Sequence, residues 1–239
     1  MTIGPLMIAN QTATIGVLLS GGLDSAILAA HLLGAGRPVR PFYIRSRLIW
    51  EGCELAAVRR YLAAIAHPRL AELVLLDLPL ADLYQDHWSV TGRNVPSAGT
   101  PDAAVYLPGR NALLLIKATL WCQLNGVEEL ALASLGTSPF SDATPEFFQR
   151  FQTLLAQGGD RAIAIRQPFA GMNKTDVMRL GRNYPLELTF SCIAPERDLH
   201  CGQCNKCAER MAAFASIGLA DATEYYQRAE DAGAQSRRY

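Results

Sequence analysis

Ser20-Gly21-Gly22-Leu23-Asp24-Ser25 joins an apolar run over residues 14–19 to an apolar helical pattern over 23–33, which Gly34 and Gly36 bring to an end. A turn of this kind dictates its neighbours. Two glycines let the backbone take positive φ and approach a ligand closely, while the amides that open the next helix point at that ligand with a favourable dipole. The expectation is a buried strand, an anion-binding turn and a helix. Leu19, Ser20, Gly21, Gly22, Leu23, Asp24, Ser25, Ala26, Ile27, Leu28 and Ala29 form the phosphate-binding stretch, with the hydroxyls of Ser20 and Ser25 as extra donors. Asp24 repels phosphate directly, which leaves it three uses: magnesium ligand, loop-orienting carboxylate, or helix cap.

The rest of the chain repeats the strand-then-helix alternation. Apolar runs predict strands over 39–44, 73–78, 129–133 and 162–166, and helical spacing predicts helices over 54–66, 110–125, 145–155, 174–182 and 206–217. Strands alternating with helices imply a doubly wound α/β domain with a parallel sheet covered on both faces, whose ligands sit at the carboxyl ends of the strands. Residues 79–108 lack a period and carry Pro79, Pro96, Gly99, Pro101 and Pro108, so they read as a long irregular connection of the kind that serves as a lid or substrate loop. The helix over 110–125 reads as a buried core helix, because Lys117 and Gln123 interrupt a segment already too short to cross a bilayer. A polar tail over 229–239 reads as frayed.

Composition narrows the function class. The chain has 239 residues, 50% of them hydrophobic and 18% charged, enough for one globular core with a modest appendage. Lysine plus arginine equals aspartate plus glutamate at 22 each, so no net field attracts the whole molecule to nucleic acid or an anionic membrane. The first 17 residues lack a basic segment ahead of an apolar stretch, and the cytoplasm is the expected compartment.

Six cysteines divide into two groups. Cys53 and Cys122 lie in apolar helical patterns and read as small core side chains. Cys192-x8-Cys201-x2-Cys204-x2-Cys207 supplies four thiolates with two tight steps, and Gly202 relieves the crowding between them. Four sulfurs leave no open coordination position, which favours structural zinc, with an iron-sulfur cluster as the competitor. His200 reads as a surface residue beside them. The division expected is a nucleotide-binding unit over 1–185 and a small zinc-binding segment over 186–239.

The turn resembles the ATP-pyrophosphatase loop shared by asparagine synthetases, NAD synthetases, argininosuccinate synthases and tRNA thiolases. Leu107-Pro108-Gly109-Arg110-Asn111, Asp142 with Pro145-Glu146-Phe147, Lys174, and Ser191-Cys192 followed by Cys201-Gly202-Gln203-Cys204-Asn205-Lys206-Cys207-Ala208-Glu209-Arg210 are similar, in that order, to 7-cyano-7-deazaguanine synthases of queuosine biosynthesis. The resemblance implies an adenine nucleotide alpha hydrolase-like, Rossmann-like fold and an ATP-dependent C–N ligase, commonly a homodimer. In such an enzyme 7-carboxy-7-deazaguanine is adenylated, displaced by ammonia to an amide, then activated again and dehydrated to a nitrile. It further implies ATP, Mg²⁺ and Zn²⁺, catalytic roles for Asp24, Ser25, Arg110 and Lys174, and substrate contacts from Asp142, Arg110 and Asn111. An ionised Asp142 could accept paired N–H donors from a guanine-like ring, or serve as a turn or cap residue before Thr144-Pro145. Phe140-Ser141-Asp142-Ala143-Thr144 stands where the family commonly reads tyrosine, proline, aspartate, cysteine, arginine, and Tyr43-Ile44-Arg45 where it reads tyrosine, glycine, glutamine. Arg45 or Arg47 could replace the missing cation, though both also read as solvated residues after a strand. Three alternatives remain open: a paralogue acting on another carboxylate or amine, a tRNA thiolase, and a non-enzymatic nucleotide-binding or zinc-dependent interaction module.

Overall fold

A computed structural model describes residues 13–159 and 161–227, so the expected frayed tail and most of the segment before the first strand lie outside the described residues. Five strands, β1 (Ile15–Leu18), β2 (Val39–Arg45), β3 (Val74–Asp77), β4 (Glu129–Ala131) and β5 (Ala164–Arg166), form one parallel sheet in the order β3-β2-β1-β4-β5. Register is fixed at the centre, where Ile15 lies opposite Val39 on one side and Glu129 on the other. The helices are α1 (Leu23–Gly34), α2 (Glu51–Ala64), α3 (Ala81–Tyr84), α4 (Trp88–Thr91), α5 (Arg110–Leu124), α6 (Pro145–Gln157), α7 (Lys174–Gly181) and α8 (Asn205–Ser216).

Alternation along the strands explains the two layers. Ile15, Val17, Val39, Tyr43 and Ala131 face a core shared with α1, α2, α7 and α8, whereas Phe42, Ile44, Leu130 and Ile165 face a second core shared with α5 and α6. Both faces are covered, as the sequence pattern requires. A third cluster joins Leu48, Trp50, Val105 and Leu107 to Phe190 and the four clustered cysteines. Core residues on both sides of position 185 share clusters: Phe214 packs in the first core with Val17 and Ile27.

Local signals hold the helices that frame the site. Thr144 caps α6 by accepting the Phe147 amide at 3.1 Å, and Pro145 sits at the first helical position. Asn173 and Asp176 form a reciprocal capping box on α7, at 3.0 and 3.2 Å. The start of α7 is therefore fixed, and with it Lys174.

Three expectations need correction. Residues 79–108 are not wholly irregular: they contain α3, α4 and a 3₁₀ turn at Asp102–Val105, and Ser97 bridges to Cys204, which anchors the connection to the cysteine segment. Tyr84, Trp88, Val90 and Val95 pack on the third core, an order that comes from burial against a distant segment and leaves no local period. Second, α5 buries Leu115, Ala118 and Cys122 but exposes Ile116, Leu120 and Leu124, which recur every fourth residue on its outer side. Third, Cys122 is a core residue but Cys53 is only half-buried, its thiol 3.5 Å from Asp198. Among the described residues no helix is long and apolar enough to cross a membrane.

Candidate active site and metal centre

The sheet order reverses at β1, where the chain proceeds to β2 on one side and returns to β4 on the other. A crevice at the carboxyl ends of the strands is the geometric result. Two adjoining cavities of about 420 and 230 Å³ occupy it, and Ser20, Asp24, Glu54, Arg110, Lys174 and Lys206 line both.

The glycine turn forms the floor. Gly21 has φ +76°, and a Cβ there would come within 2.7 Å of Glu54 Cγ, so both conformation and space exclude a side chain. Gly22 is the N-cap of α1 and no side chain caps that helix, which removes the cap reading for Asp24. The Ser25 hydroxyl accepts the Ser20 amide at 3.1 Å and lies 3.2 Å from the Ser20 hydroxyl, so the two serines brace the turn. Asp24 instead accepts Lys174 Nζ on both carboxylate oxygens, at 2.9 and 2.8 Å.

That contact belongs to a longer chain of charge. Lys174 Nζ also lies 3.1 Å from Glu209, which bonds Lys206 on the preceding turn of α8. Burial alone would lower the Lys174 pKa, but Asp24 and Glu209 outweigh it and hold the ammonium above its ordinary value. Burial likewise opposes ionisation of Glu209, yet Lys174 and Lys206 hold its carboxyl down at about 2. Arg110 opens α5 and its Nε is buried without a partner among the described residues. Three cations thus line the crevice around the turn, which suits a polyanion. Arg45 and Arg47 do not line it: Arg45 pairs with Glu51 and Asp77, and the Arg47 amide bonds Glu51.

Asp142 is buried in a 3₁₀ turn, where Asn111 donates its side-chain amide to Oδ1 at 3.2 Å and its backbone amide to Oδ2 at 3.4 Å. Asp142 and Asn111 therefore bind each other, and this pair ties the start of α5 to the turn after β4. Thr144, where the resemblance leads one to expect a cation, is occupied as the cap of α6.

Glu54, Lys206 and Glu209 escape a motif reading. Lys206 and Glu209 sit inside the cysteine motif, where attention falls on sulfur, and their spacing of three on a helix beginning at Cys204 is the only available signal.

Cys192, Cys201, Cys204 and Cys207 are all buried, and their sulfurs lie within 4.8 Å of one another. Two of the separations are 3.8 and 3.9 Å. A tetrahedral ion with metal–sulfur bonds near 2.3 Å gives sulfur–sulfur edges of about 3.8 Å, so the quartet fits one ion. A multi-iron cluster would hold each sulfur on a different iron and spread them further. Backbone amides of Ala194, Cys201, Gln203 and Cys204 donate to the Cys192 and Cys201 sulfurs at 3.3 to 3.4 Å, as thiolate ligands require. Gly202 has φ +83°, and a Cβ there would collide with the Gln227 carbonyl. His200 is not a surface residue: it is 5% exposed, accepts the Ser191 amide through Nε2 at 3.1 Å and packs between Phe190 and Tyr225. Buried Arg210 reaches from α8 to Thr189 and to the Leu186 carbonyl, at 2.7 and 2.8 Å, which ties α8 to the residues that lead into Cys192.

Comparison with known proteins bears on the family. A 7-cyano-7-deazaguanine synthase of Halobacterium salinarum is 33% identical over 221 residues, covering 89% of this chain and 95% of its own. One from Methanospirillum hungatei is 30% identical over 217 residues, covering 87% and 97%. The solved U34-tRNA thiolase NcsA from Methanococcus maripaludis, with its [4Fe-4S] cluster, gives a TM-score of 0.45 at 10% identity, covering 87% of this chain and 71% of that one, too slight a likeness to bear on chemistry. The model of the family described as Queuosine biosynthesis protein QueC matches residues 14–218, and the chain belongs to that family.

Proposed function

We propose that this protein is an ATP-dependent ligase that adenylates 7-carboxy-7-deazaguanine, joins it to ammonia, and carries the amide on to 7-cyano-7-deazaguanine. The observation that carries the reading is the glycine turn at the sheet's reversal point, facing Lys174, Lys206 and Arg110. A carboxylate oxygen becomes a leaving group only when joined to AMP, and the transition state of that transfer gathers negative charge on the α-phosphate and the departing pyrophosphate. Amides of residues 21–25 would hold the phosphates, Ser25 would brace the turn, and Lys174 and Arg110 would offset the developing charge. Asp24 positions Lys174 and retains lone pairs for Mg²⁺, which would neutralise phosphate charge. The four cysteines would hold Zn²⁺ as a structural ion.

The exposed stripe Ile116, Leu120 and Leu124 on α5 supports a homodimer, and Leu120→Glu should then give monomers in sedimentation. The proposed division at 185/186 puts the glycine turn on one side and the four cysteines on the other, with Lys206 and Glu209 of the second unit lining the crevice. One observation favours a second reading, a paralogue acting on a different carboxylate: Asp142 is committed to Asn111.

One experiment tests both. Purified protein is given ATP, Mg²⁺, ammonium and 7-carboxy-7-deazaguanine, pyrophosphate exchange is followed, and the product is read by mass spectrometry. The nitrile with AMP is the expected outcome. Exchange driven only by other carboxylates would favour the paralogue, and an absence of exchange with any carboxylate would remove the ligase reading.

A further inference from the structure

Glu54 stands apart from every other carboxyl at the crevice. Asp24 and Glu209 are committed to lysines, and Asp142, which lines neither cavity, to Asn111. Asp102 is exposed and takes the Asn205 amide at 3.3 Å. Glu54 is 9% exposed, lines both cavities, and has no ion pair among the described residues. Its one side-chain partner is the Tyr43 hydroxyl, which donates to Oε2 at 2.7 Å. A buried carboxyl without a cation costs stability, and a fold that places one against its phosphate-binding turn is using it for something.

We propose that Glu54 is the proton acceptor for the nitrogen that attacks the activated acyl group, a role that rests on the adenylate-forming reading above. Ammonia donates its lone pair to the acyl carbon, the carbon–nitrogen bond forms, and the carbonyl π electrons move to oxygen. The nitrogen now carries a positive charge and an excess proton. The Glu54 carboxylate takes that proton, the carbonyl re-forms, and the carbon–oxygen bond to AMP breaks with its electron pair leaving on the phosphate. The amide remains, Glu54 is a carboxylic acid, and its proton passes to water before the next cycle.

The surroundings fit an acceptor that works near neutrality. Burial raises the Glu54 carboxyl to about 7, against the Arg110 charge and the Tyr43 hydrogen bond, which both favour the carboxylate, while Glu51 adds to the rise. Those three groups face it from α5, β2 and its own helix; Asp24, Lys174, Lys206 and Glu209 share the crevice. Tyr43 cannot substitute, because burial first and Glu54 second push its hydroxyl far above the ordinary range. A base whose pKa matches the working pH makes proton transfer most efficient.

Two readouts on the parent protein, Glu54→Gln and Tyr43→Phe decide the matter. Pyrophosphate exchange driven by 7-carboxy-7-deazaguanine reports adenylation, which ends before nitrogen arrives; ammonium-dependent product formation reports the later step. Glu54→Gln should keep exchange within about threefold of the parent and lose product formation by about 100-fold or more. Tyr43→Phe removes a hydrogen bond that favours the carboxylate, so the acidic limb of product formation should move to higher pH. Equal losses in exchange and product for Glu54→Gln, or product formation at the parental rate, would overturn the assignment. If Glu54→Gln does not fold, the Tyr43→Phe profile decides, and an unmoved limb overturns it. A parent that shows no exchange with this carboxylate removes the adenylation reading itself, a failure visible before any variant is made.

Discussion

Two buried carboxyls, Glu129 in β4 and Glu54 on α2, are treated in opposite ways. Glu129 opens β4 and is gripped by Arg37, which is fully buried, at 2.5 Å, and by Arg166 at 2.7 Å. Burial would raise its pKa, yet the two arginines hold it below the usual carboxylate value. Glu54, beside the glycine turn at the carboxyl ends of the strands, has only a tyrosine hydroxyl and rises to about 7. The first arrangement resolves a buried charge where nothing needs to bind; the second leaves one unresolved where something does. Stability and chemistry are thus segregated to the two ends of one sheet.

That contrast can be broken at several points. Replacing Cys204 by Ser should have the widest effect, because Cys204 is both a proposed metal ligand and the N-cap of α8. Metal content by atomic emission, melting temperature and turnover should all fall, and a variant that keeps parental turnover without metal would detach the cysteine site from the crevice. Asp24→Ala removes the partner of Lys174, and turnover should drop by about 10³-fold, or about 4 kcal/mol in the barrier, with the circular dichroism spectrum unchanged. Glu129→Ala should do the reverse. Stranding Arg37 without a counter-charge should cost about 3–5 kcal/mol in urea unfolding, while turnover per folded molecule stays at the parental value.

The smallest effect is the sharpest discriminator. A carboxyl whose folded pKa lies above its unfolded value binds a proton more tightly when folded, so it withdraws stability as pH rises from about 4.5 to 7. Glu54→Gln should abolish that slope and leave the variant more stable than the parent at pH 8, by on the order of 2–3 kcal/mol. Glu129 works with the opposite sign: its contribution is present above the unfolded carboxylate pKa and is lost as pH falls below it. A Glu54→Gln protein less stable than its parent at pH 8 would make Glu54 a structural residue.

The sheet and its helices are legible from the chain because their signals are local. Glycines end runs of apolar residues, Asn173 and Thr144 announce helices, and strand residues alternate between two cores. Helix starts are less so: α2 begins at Glu51, three residues before the expected position, since Trp50 caps it only through packing in the third core. The turn and the cysteines are legible as motifs. What joins them is not, because Lys174 meets Asp24 across 150 positions, and Lys206 and Glu209 acquire their place in the crevice only when α8 packs beside α7. His200 misleads for the same reason: its neighbour in sequence is one of the clustered cysteines, but Tyr225 and Phe190 from elsewhere enclose it.

The first two turns of α8 carry Lys206, Cys207, Glu209 and Arg210, so one rigid rod ends in sulfur on one flank and in charge on the other. A ribosome emits the glycine turn early and this rod late. Until α8 has emerged and packed beside α7, Lys174 lacks its second carboxylate and the crevice has one wall missing. Under the proposed zinc assignment, a cell short of that ion would accumulate chains with an intact sheet and an unfinished pocket, so metal supply would set how many copies can act without changing how many are made.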